Sequence, residues 1–318
     1  MDSRIKLLSG TVHPELAKKI SQNIGVPLSL VEIKRFKDSE VYVKIKDKMR
    51  GEDVYIIQPT SAPANESLME LLIMIDAVKR ASAGRINIVV PYLGYGRQDR
   101  KASAREPITA KLVANLITAA GANRVITVDL HADQVQGFFD ISMDHFPGFL
   151  LFHNYFKNKK LKNLIAVAPD TGAAKRTRRF AKLLDIPLAI IDKRRAAHNE
   201  CEVMTVIGEV KGMNAIIIDD IIDTGGTITG AAAALKQKGA KDVYICATHP
   251  VLSSPASKIL QECAAKEVIV TDTIPISPEK QFAKLKVISI APLMAQVIQR
   301  IHSNDSLGEL FKTDGYIG

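Results

Sequence analysis

Residues 215–229 read A-I-I-I-D-D-I-I-D-T-G-G-T-I-T, and this stretch decides the fold. A short apolar run that ends in turn residues is typical of a buried strand in a parallel sheet. Such a strand does not tolerate unpaired carboxylates, so the aspartates at its end indicate a site that uses them. The stretch therefore predicts a strand, a tight glycine turn and a helix, with a ligand bound at the turn.

Six other short apolar runs of the same kind occur along the chain, with helical patterns between several of them. Alternating strands and helices predict an α/β fold with mainly parallel sheets flanked by helices. We expect strands at 54–58, 86–91, 125–130, 164–168, 188–191, 215–219 and 243–247, and helices at 66–81, 109–119, 172–184 and 227–238.

The two halves of the chain resemble each other. V-Y-I-I-Q-P-T-S-A-P-A-N-E, a helix and I-N-I-V-V-P-Y correspond to A-I-I-I-D-D-I-I-D-T-G-G-T, a helix and V-Y-I-C-A-T-H. Two related domains explain this pattern, although any two strand-helix-strand units look alike. A chain of 318 residues also favours two domains. Proline, glycine and a basic run interrupt the pattern at 146–160, so we predict domains at 1–147 and 148–318.

The composition is globular, with 47% hydrophobic and 24% charged residues and no apolar run long enough for a transmembrane helix. The opening M-D-S-R-I-K-L-L-S-G lacks the long apolar segment of a secretory signal. Cys201, Cys246 and Cys263 form no C-x-x-C pair, which is typical of a reducing compartment. We therefore expect a cytoplasmic protein.

The formal net charge of +9 is compatible with nucleic acid, an anionic membrane surface or small polyanionic substrates. Trp is absent, aromatic residues make up 5% of the chain, and no helix-turn-helix or RNA-binding motif is evident. We expect neither nucleic acid nor a membrane among the partners.

The turn after 215–219 has the features of an anion site. Gly225 and Gly226 allow a tight turn, Thr224 and Thr227 add hydroxyl groups, and backbone amides at the start of the helix point outward. No Lys follows the glycines and no G-x-G-x-x-G is present, which excludes the usual P-loop and dinucleotide patterns. The turn therefore predicts a phosphate site of another kind.

Three aspartates lie beside this turn: Asp219, Asp220 and Asp223. Carboxylates are poor neighbours for a phosphate, but they accept hydrogen bonds from sugar hydroxyls. Phosphate and polyol recognition together predict a sugar phosphate. Solvent-exposed aspartates in a loop are the alternative interpretation.

Two stretches in the first half have the chemistry of a nucleotide site. Arg97 and Arg100 flank Gln98 and Asp99 after a Gly-Tyr-Gly turn, which provides cationic forks for phosphate oxygens. A solvated charge cluster is the alternative. In the second stretch, the ring of Phe36 offers an apolar face to a purine, and Asp38, Ser39 and Glu40 provide hydrogen-bonding groups. A place for Phe36 in the core is the alternative.

Three further positions follow predicted strands. His131 and Asp170 each lie at the carboxyl end of a strand, where open α/β sheets bind ligands. Lys193, Arg194 and Arg195 lie just beyond another strand and are followed by small and polar residues. A mobile basic loop and a solvated charged turn both fit this triplet.

The 215–229 stretch resembles the ribose-phosphate-binding motif of the type I phosphoribosyltransferase fold. P-Y-L-G-Y-G-R-Q-D-R-K at 91–101, R-F-K-D-S-E at 35–40 and V-D-L-H at 128–131 also resemble the ribose-phosphate diphosphokinase family, and the likeness runs from about 7 to 311. The resemblance implies two tandem phosphoribosyltransferase-like domains, with ATP on the first and ribose 5-phosphate on the second.

The resemblance also implies roles for the residues above. It implies catalytic cations at Lys193 and Arg195, and Mg²⁺ held at His131 and Asp170. For ATP it implies Phe36, Asp38, Ser39, Glu40, Arg97, Gln98, Asp99 and Arg100. For ribose 5-phosphate it implies Arg195, Asp219, Asp220, Asp223, Thr224, Gly225, Gly226 and Thr227.

The reaction implied is Mg²⁺-dependent transfer of the β,γ-diphosphoryl group of ATP to the 1-hydroxyl of ribose 5-phosphate, for nucleotide biosynthesis. Two alternatives share the same glycine turn: a phosphoribosyltransferase, and a non-catalytic homologue that acts as a regulatory subunit or a repressor. R-Q-D-R in another domain argues against the former, and the lack of a DNA-binding motif argues against a repressor. The resemblance implies self-association into a hexamer.

One departure from the family concerns regulation. Many members are activated by phosphate and inhibited by ADP at a separate site between subunits, which uses hydroxyl groups from three segments. The corresponding positions here are Lys48, Ala104, Ser306 and Gly308, so one hydroxyl remains. We expect weak or absent activation by phosphate.

Overall fold

The structure is a computed structural model that describes residues 4–194 and 203–311. These residues form two units. The first contains the chain up to Pro147, together with Thr273–Pro275 and the chain from Ile290 onward. The second contains Gly148–Asp272 and Ile276–Ser289. The first unit thus includes C-terminal residues that the predicted domain 148–318 assigned to the second.

The elements follow one another in an α/β order. Up to Pro147 they are β1 Ile5–Ser9, α1 Pro14–Ile24, β2 Val31–Arg35, β3 Val41–Ile45, β4 Asp53–Ile57, α2 Ala64–Arg80, β5 Arg85–Val89, α3 Thr109–Ala120, β6 Arg124–Val128 and β7 Ser142–Phe146.

The remaining elements are α4 Phe149–Lys159, β8 Leu164–Ala168, α5 Ala174–Leu184, β9 Leu188–Arg194, β10 Val203–Ile207, β11 Asn214–Ile222, α6 Gly226–Gln237, β12 Asp242–Pro250, α7 Ala256–Glu262, β13 Glu267–Thr271, β14 Leu285–Ile288 and α8 Ala291–His302. Short 3₁₀ turns cover Asp133–Phe138, Pro278–Lys280 and Gly308–Phe311.

The first unit is built on a five-stranded sheet of order β1-β4-β5-β6-β7, in which every neighbouring pair is parallel. All five residues of β4 are buried, as expected for a parallel strand covered on both faces. β2 and β3 form a separate antiparallel hairpin. The C-terminal helix α8 packs against α1.

The second unit is built on a seven-stranded sheet of order β10-β9-β8-β11-β12-β13-β14. Its pairs are parallel except β9 with the edge strand β10. The core beneath helix α6 contains Ile217, Ala231, Leu235 and Ile245. The small side chains on α6 allow this helix to lie close to the sheet.

The predicted fold class is confirmed, and each of the seven predicted strands and four predicted helices corresponds to an element. Three strands are longer than predicted: β9, β11 and β12, which continues to Pro250. β11 continues to Ile222 because Ile221 and Ile222 pair with the end of β12. β9 continues to Arg194 because β10 pairs with it, so Lys193 lies within a strand. A helix, α4, occupies most of the predicted boundary region.

No helix in the described parts of the chain is both long enough and apolar enough to cross a membrane.

Candidate functional site

The strand order of the second unit reverses direction between β8 and β11. From β8 the chain passes to β9 on one side, and β11 to β14 follow on the other. Open parallel sheets bind ligands at such a reversal, outside the carboxyl ends of the strands. The segments that leave this edge are the Asp170 segment after β8 and the D-T-G-G-T turn after β11. The topology therefore brings these two predicted segments to neighbouring strand ends.

The turn after β11 leads directly into α6. Gly225 precedes the helix with φ of 84°, a left-handed conformation that suits glycine. Gly225 has no side chain that could cap the helix, and the first amides of a helix lack partners within the helix itself. A Cβ atom at Gly226 would meet nothing within 4 Å. Open space thus lies at the first residue of α6, and the start of a helix is a place that binds phosphate.

The other residues of the turn differ in exposure. Asp223 is half-buried, while Thr224 and Thr227 are exposed. Thr229 lies one turn into the helix, and its hydroxyl donates to the Gly225 carbonyl at 2.9 Å. The turn therefore carries two exposed hydroxyl groups and one half-buried carboxylate.

Asp219 and Asp220 lie inside β11 rather than after it. The Asp220 amide donates to Oδ1 of Asp219 at 2.9 Å. Arg176 of α5 approaches both carboxylates, with Nη1 at 2.9 Å from Oδ1 of Asp220 and 3.6 Å from Oδ1 of Asp219. Burial and the neighbouring Asp220 carboxylate raise the pKa of Asp219 well above its usual value, although Arg176 opposes this shift.

Asp170 is exposed in the segment between β8 and α5. Its Oδ1 accepts a hydrogen bond from the Ala173 amide at 2.9 Å. This bond fixes the carboxylate relative to the start of α5.

Of the two predicted catalytic cations, Lys193 and Arg195, the structure describes the backbone of Lys193. The backbone of Lys193 pairs with that of Met204 across β9 and β10. Arg195 lies outside the described residues, so the predicted basic loop stays a prediction.

In the first unit, the R-F-K-D-S-E stretch forms the tip of the β2–β3 hairpin. Phe36 is 56% exposed and meets Tyr42 edge to face at 5.8 Å, so the core interpretation is wrong. The Phe36 amide donates to the Glu40 carbonyl at 2.9 Å, and the Glu40 amide donates to Oδ1 of Asp38 at 3.2 Å. Ser39 turns the chain with φ of 75°. The tip presents an aromatic face beside polar groups.

The hairpin and the G-Y-G-R-Q-D-R loop meet at the start of α2. Arg35, at the end of β2, forms an ion pair with Glu66. The hydroxyl of Tyr95 donates to the side chain of Asn65. Because Asn65 and Glu66 are adjacent in the first turn of α2, the two predicted nucleotide stretches share one anchor.

The loop itself packs tightly near its beginning. The Gly94 amide donates to Oγ1 of Thr60 at 2.7 Å, and a Cβ atom at Gly94 would lie 2.3 Å from the Thr60 carbonyl oxygen. A side chain does not fit there, so glycine is required for this close approach.

The two middle residues of R-Q-D-R make internal hydrogen bonds. Oε1 of Gln98 accepts from the Thr109 hydroxyl at 2.5 Å, at the start of α3. Asp99 is buried and accepts from Nε2 of Gln134 at 2.5 Å. These bonds hold the loop in place. The basic side chains on either side are exposed, namely Arg97 and Arg100.

His131 is exposed just beyond β6, close in sequence to the 3₁₀ turn that contains Gln134. The preceding Leu130 amide donates to Nε2 of His145 at 2.9 Å. Asp129 adopts φ of 45°, a left-handed conformation that is uncommon outside glycine and asparagine-like residues. The V-D-L-H segment is therefore held by the hydrogen bond from Leu130 to His145.

His131 and Asp170 are the predicted protein ligands of Mg²⁺. No group of three or more His, Cys, Asp and Glu side chains is placed to hold a metal in the described parts of the chain. Mg²⁺ often takes one or two protein ligands and keeps waters and substrate phosphates. Asp170 is exposed after β8 and offers a carboxylate oxygen, which suits Mg²⁺, whereas the exposed imidazole of His131 in the first unit is a less usual ligand for this ion.

Sequence reasoning missed three residues that hold these segments: Arg176, Gln134 and His145. Arg176 lies in the basic run K-R-T-R-R, where it is indistinguishable from its exposed neighbours by pattern. Gln134 and His145 make their bonds to residues 35 and 15 positions away, which local patterns do not reveal.

Two family profiles match the chain. The profile of the N-terminal domain of ribose phosphate pyrophosphokinase matches residues 5–121. The profile of the phosphoribosyl synthetase-associated domain matches residues 195–312.

Similar proteins cover almost the whole chain. Ribose-phosphate pyrophosphokinase of Fusobacterium nucleatum is 53% identical over 311 residues, which are 97% of this chain and 98% of that protein. The Bacillus subtilis protein of the same name is 53% identical over 310 residues, 98% of each chain.

Among solved structures, phosphoribosylpyrophosphate synthetase from Mycobacterium smegmatis superposes with a TM-score of 0.90 at 44% identity, covering 95% of this chain and all of that chain. The resemblance stated from the motifs and the prediction of a diphosphokinase enzyme are therefore confirmed. This chain belongs to the ribose-phosphate pyrophosphokinase family.

Proposed function

We propose that the protein transfers the β,γ-diphosphoryl group of ATP to the 1-hydroxyl of ribose 5-phosphate, which gives 5-phospho-α-D-ribose 1-diphosphate and AMP. The observation that carries this proposal is the turn after β11, where a helix that starts with a glycine at its N-cap lies beside aspartates at the strand-order reversal. Helix amides recognise a phosphate, and aspartates recognise the hydroxyl groups of a polyol. The family membership supports the same substrate.

Ribose 5-phosphate binds at the turn in the second unit. The first amides of α6 and the hydroxyls of Thr224 and Thr227 donate to the 5-phosphate. Asp223, together with Asp219 and Asp220, accepts from the sugar hydroxyls. The phosphate and the hydroxyls are thereby fixed at two points, so the 1-hydroxyl is oriented before reaction.

ATP binds to the first unit. Phe36 stacks on the adenine, and Asp38, Ser39 and Glu40 recognise the base or ribose edges. Arg97 and Arg100 donate to phosphate oxygens, while Gln98 and Asp99 hold the loop through Thr109 and Gln134.

In the reaction, the 1-oxygen of ribose 5-phosphate forms a bond to the β-phosphorus, and the bond from that phosphorus to the oxygen of the α-phosphate breaks. The oxygen of the broken bond leaves as part of the AMP phosphate, and the proton of the sugar hydroxyl is released to the solvent. Lys193 and Arg195 stabilise negative charge on the transferred group and on AMP. His131 and Asp170 would hold Mg²⁺, which would supply positive charge to the phosphates.

The experiment incubates the purified full chain with ATP labelled at the β-phosphorus, ribose 5-phosphate and Mg²⁺. We expect AMP and a labelled sugar diphosphate in equal amounts, and neither without ribose 5-phosphate. Formation of ADP, or release of labelled free diphosphate alone, would rule out this reaction.

Assembly into a hexamer and a place in nucleotide biosynthesis rest on the resemblance, and a cytoplasmic location rests on the composition; all three stay proposals. Size measurement by light scattering tests the first directly.

A further inference from the structure

Arg176 occupies a particular position in the second unit. It lies on α5, and one guanidinium nitrogen is near both carboxylates at the end of β11, at 2.9 Å from Asp220 and 3.6 Å from Asp219. Adjacent strand residues normally point to opposite faces of a sheet. A single cation that approaches both carboxylates therefore constrains their relative orientation.

These charges are largely removed from water. The exposed fraction of the side chain is 16% for Arg176, 6% for Asp220 and 23% for Asp219. A carboxylate as buried as Asp220 is unfavourable without a cation or donors. Arg176 thus stabilises the charged form of a group that is required to accept hydrogen bonds.

Helix α5 gives Arg176 a fixed base. Thr177 and Phe180 on the same helix are fully buried, and the Thr177 hydroxyl donates to the Ala173 carbonyl at 2.9 Å. The Ala173 amide in turn donates to Asp170. The start of α5 therefore contacts the segment after β8, and Arg176 on the same rigid helix contacts the end of β11.

We propose that Arg176 is a positioning residue for the sugar site, which holds Asp219 and Asp220 in the orientation that accepts hydrogen bonds from the ribose hydroxyls. This inference rests on the proposed function and extends it to a residue that does not itself contact substrate. Planar guanidinium geometry is part of the role, because a lysine ammonium is a single point charge without fixed donor directions.

The contact between Arg176 and Asp219 also predicts how the response to ribose 5-phosphate depends on pH. Arg176 lowers the pKa of Asp219 against the larger effects of burial and Asp220, which raise it. Removal of Arg176 raises that pKa further. A carboxyl with a higher pKa becomes protonated at higher pH, so the acidic limb of the pH profile for ribose 5-phosphate moves upward in pH.

The experiment compares three variants of the full chain: Arg176→Ala, Arg176→Lys and the control Arg178→Ala. Arg178 lies on the same helix and is exposed. We expect Arg176→Ala to raise KM for ribose 5-phosphate by about tenfold or more and to change KM for ATP little. Arg176→Lys restores part of the loss, and Arg178→Ala matches the wild type.

Calorimetric titration with ribose 5-phosphate alone is measured beside turnover. A wild type that binds the sugar phosphate but forms no AMP contradicts the proposed reaction, and the titrations of the variants still decide the role of Arg176. Equal affinity in Arg176→Ala and Arg178→Ala overturns the inference, as does an unshifted acidic limb. If Arg176→Ala does not fold, Arg176→Lys decides: full wild-type affinity and an unchanged pH profile overturn the role.

Discussion

Oδ2 of Asp53 lies 2.8 Å from Nδ1 of His302, although 249 residues separate them along the chain. Asp53 begins β4 and is fully buried, while His302 ends α8. The same carboxylate accepts from Arg85 at 2.5 Å and from Asn87 at 2.8 Å. This cluster at the start of the sheet ties the C-terminal helix to the first unit.

The first prediction tests that connection. His302→Ala removes one donor from a buried carboxylate, so the free energy of unfolding decreases by about 1–3 kcal/mol. Gln299→Ala is the control, since Gln299 is exposed on the same helix. Thermal unfolding measures both. A Tm for His302→Ala equal to that of the control would show that the contact contributes nothing.

The second prediction separates the two glycines of the turn. Gly225→Ala places an L-residue at φ of 84° and costs about 1–2 kcal/mol of stability. Gly226→Ala leaves Tm unchanged or raises it slightly, because its Cβ atom meets nothing within 4 Å and alanine favours a helix.

KM for ribose 5-phosphate tests whether the space at Gly226 is the phosphate site. We expect Gly226→Ala to raise KM for the sugar phosphate by roughly tenfold or more, since its methyl group would enter the space in which we propose that phosphate binds. Unchanged KM and Tm together would show that this space is not the phosphate site.

The third prediction concerns the exposed ring of the hairpin. Phe36→Ala removes a stacking surface, so KM for ATP rises by roughly tenfold while KM for ribose 5-phosphate changes little. Leu30→Ala is the control, because Leu30 is 64% exposed and lies just before the same hairpin. Similar effects of the two substitutions would place the adenine elsewhere.

The fourth prediction concerns Lys193. Lys193→Ala removes a cation that we propose acts on the transferred group, so we expect kcat to fall by roughly a hundredfold or more while ATP binding changes little. Lys258→Ala, at an exposed position of α7, is the control. Unchanged turnover in Lys193→Ala would exclude this residue from the chemistry.

The strands and helices were predictable where the pattern is local. The run A-I-I-I-D-D predicts β11 because burial and β-branching act within a few residues. Its true end at Ile222 depends on β12, a partner that the local pattern does not show. The place of α8 in the first unit depends likewise on the long-range contact between Asp53 and His302.

The candidate site likewise contains features that a local sequence pattern predicts and others that depend on contacts distant in sequence. The turn at Gly225 was predictable because left-handed conformations have a compositional signature. Arg176 was not, since only its geometry distinguishes it from Arg178 on the same helix.

The last prediction concerns regulation. By the resemblance, a phosphate effector is bound through hydroxyl groups, and the chain has Lys48, Ala104 and Gly308 at three of those positions. The remaining hydroxyl, that of Ser306, accepts from the Gly308 amide at 3.2 Å. Each lost hydrogen bond weakens binding by about 1 kcal/mol, so three losses weaken it by roughly two orders of magnitude if they add.

Lys48, Arg50 and Arg105 keep positive charge in these segments, but flexible cations select an anion less well than fixed hydroxyls do. We expect little activation by phosphate and ADP inhibition that ATP relieves, measured as initial rates over a range of phosphate and ADP. The double variant Ala104→Ser, Gly308→Ser restores two hydroxyls. A Cβ atom at Gly308 would lie 3.4 Å from Oγ of Ser306, a contact that a small side-chain rotation accommodates. Stronger phosphate activation in the double variant supports the assignment, whereas strong activation in the wild type, or ADP inhibition that ATP does not relieve, contradicts it.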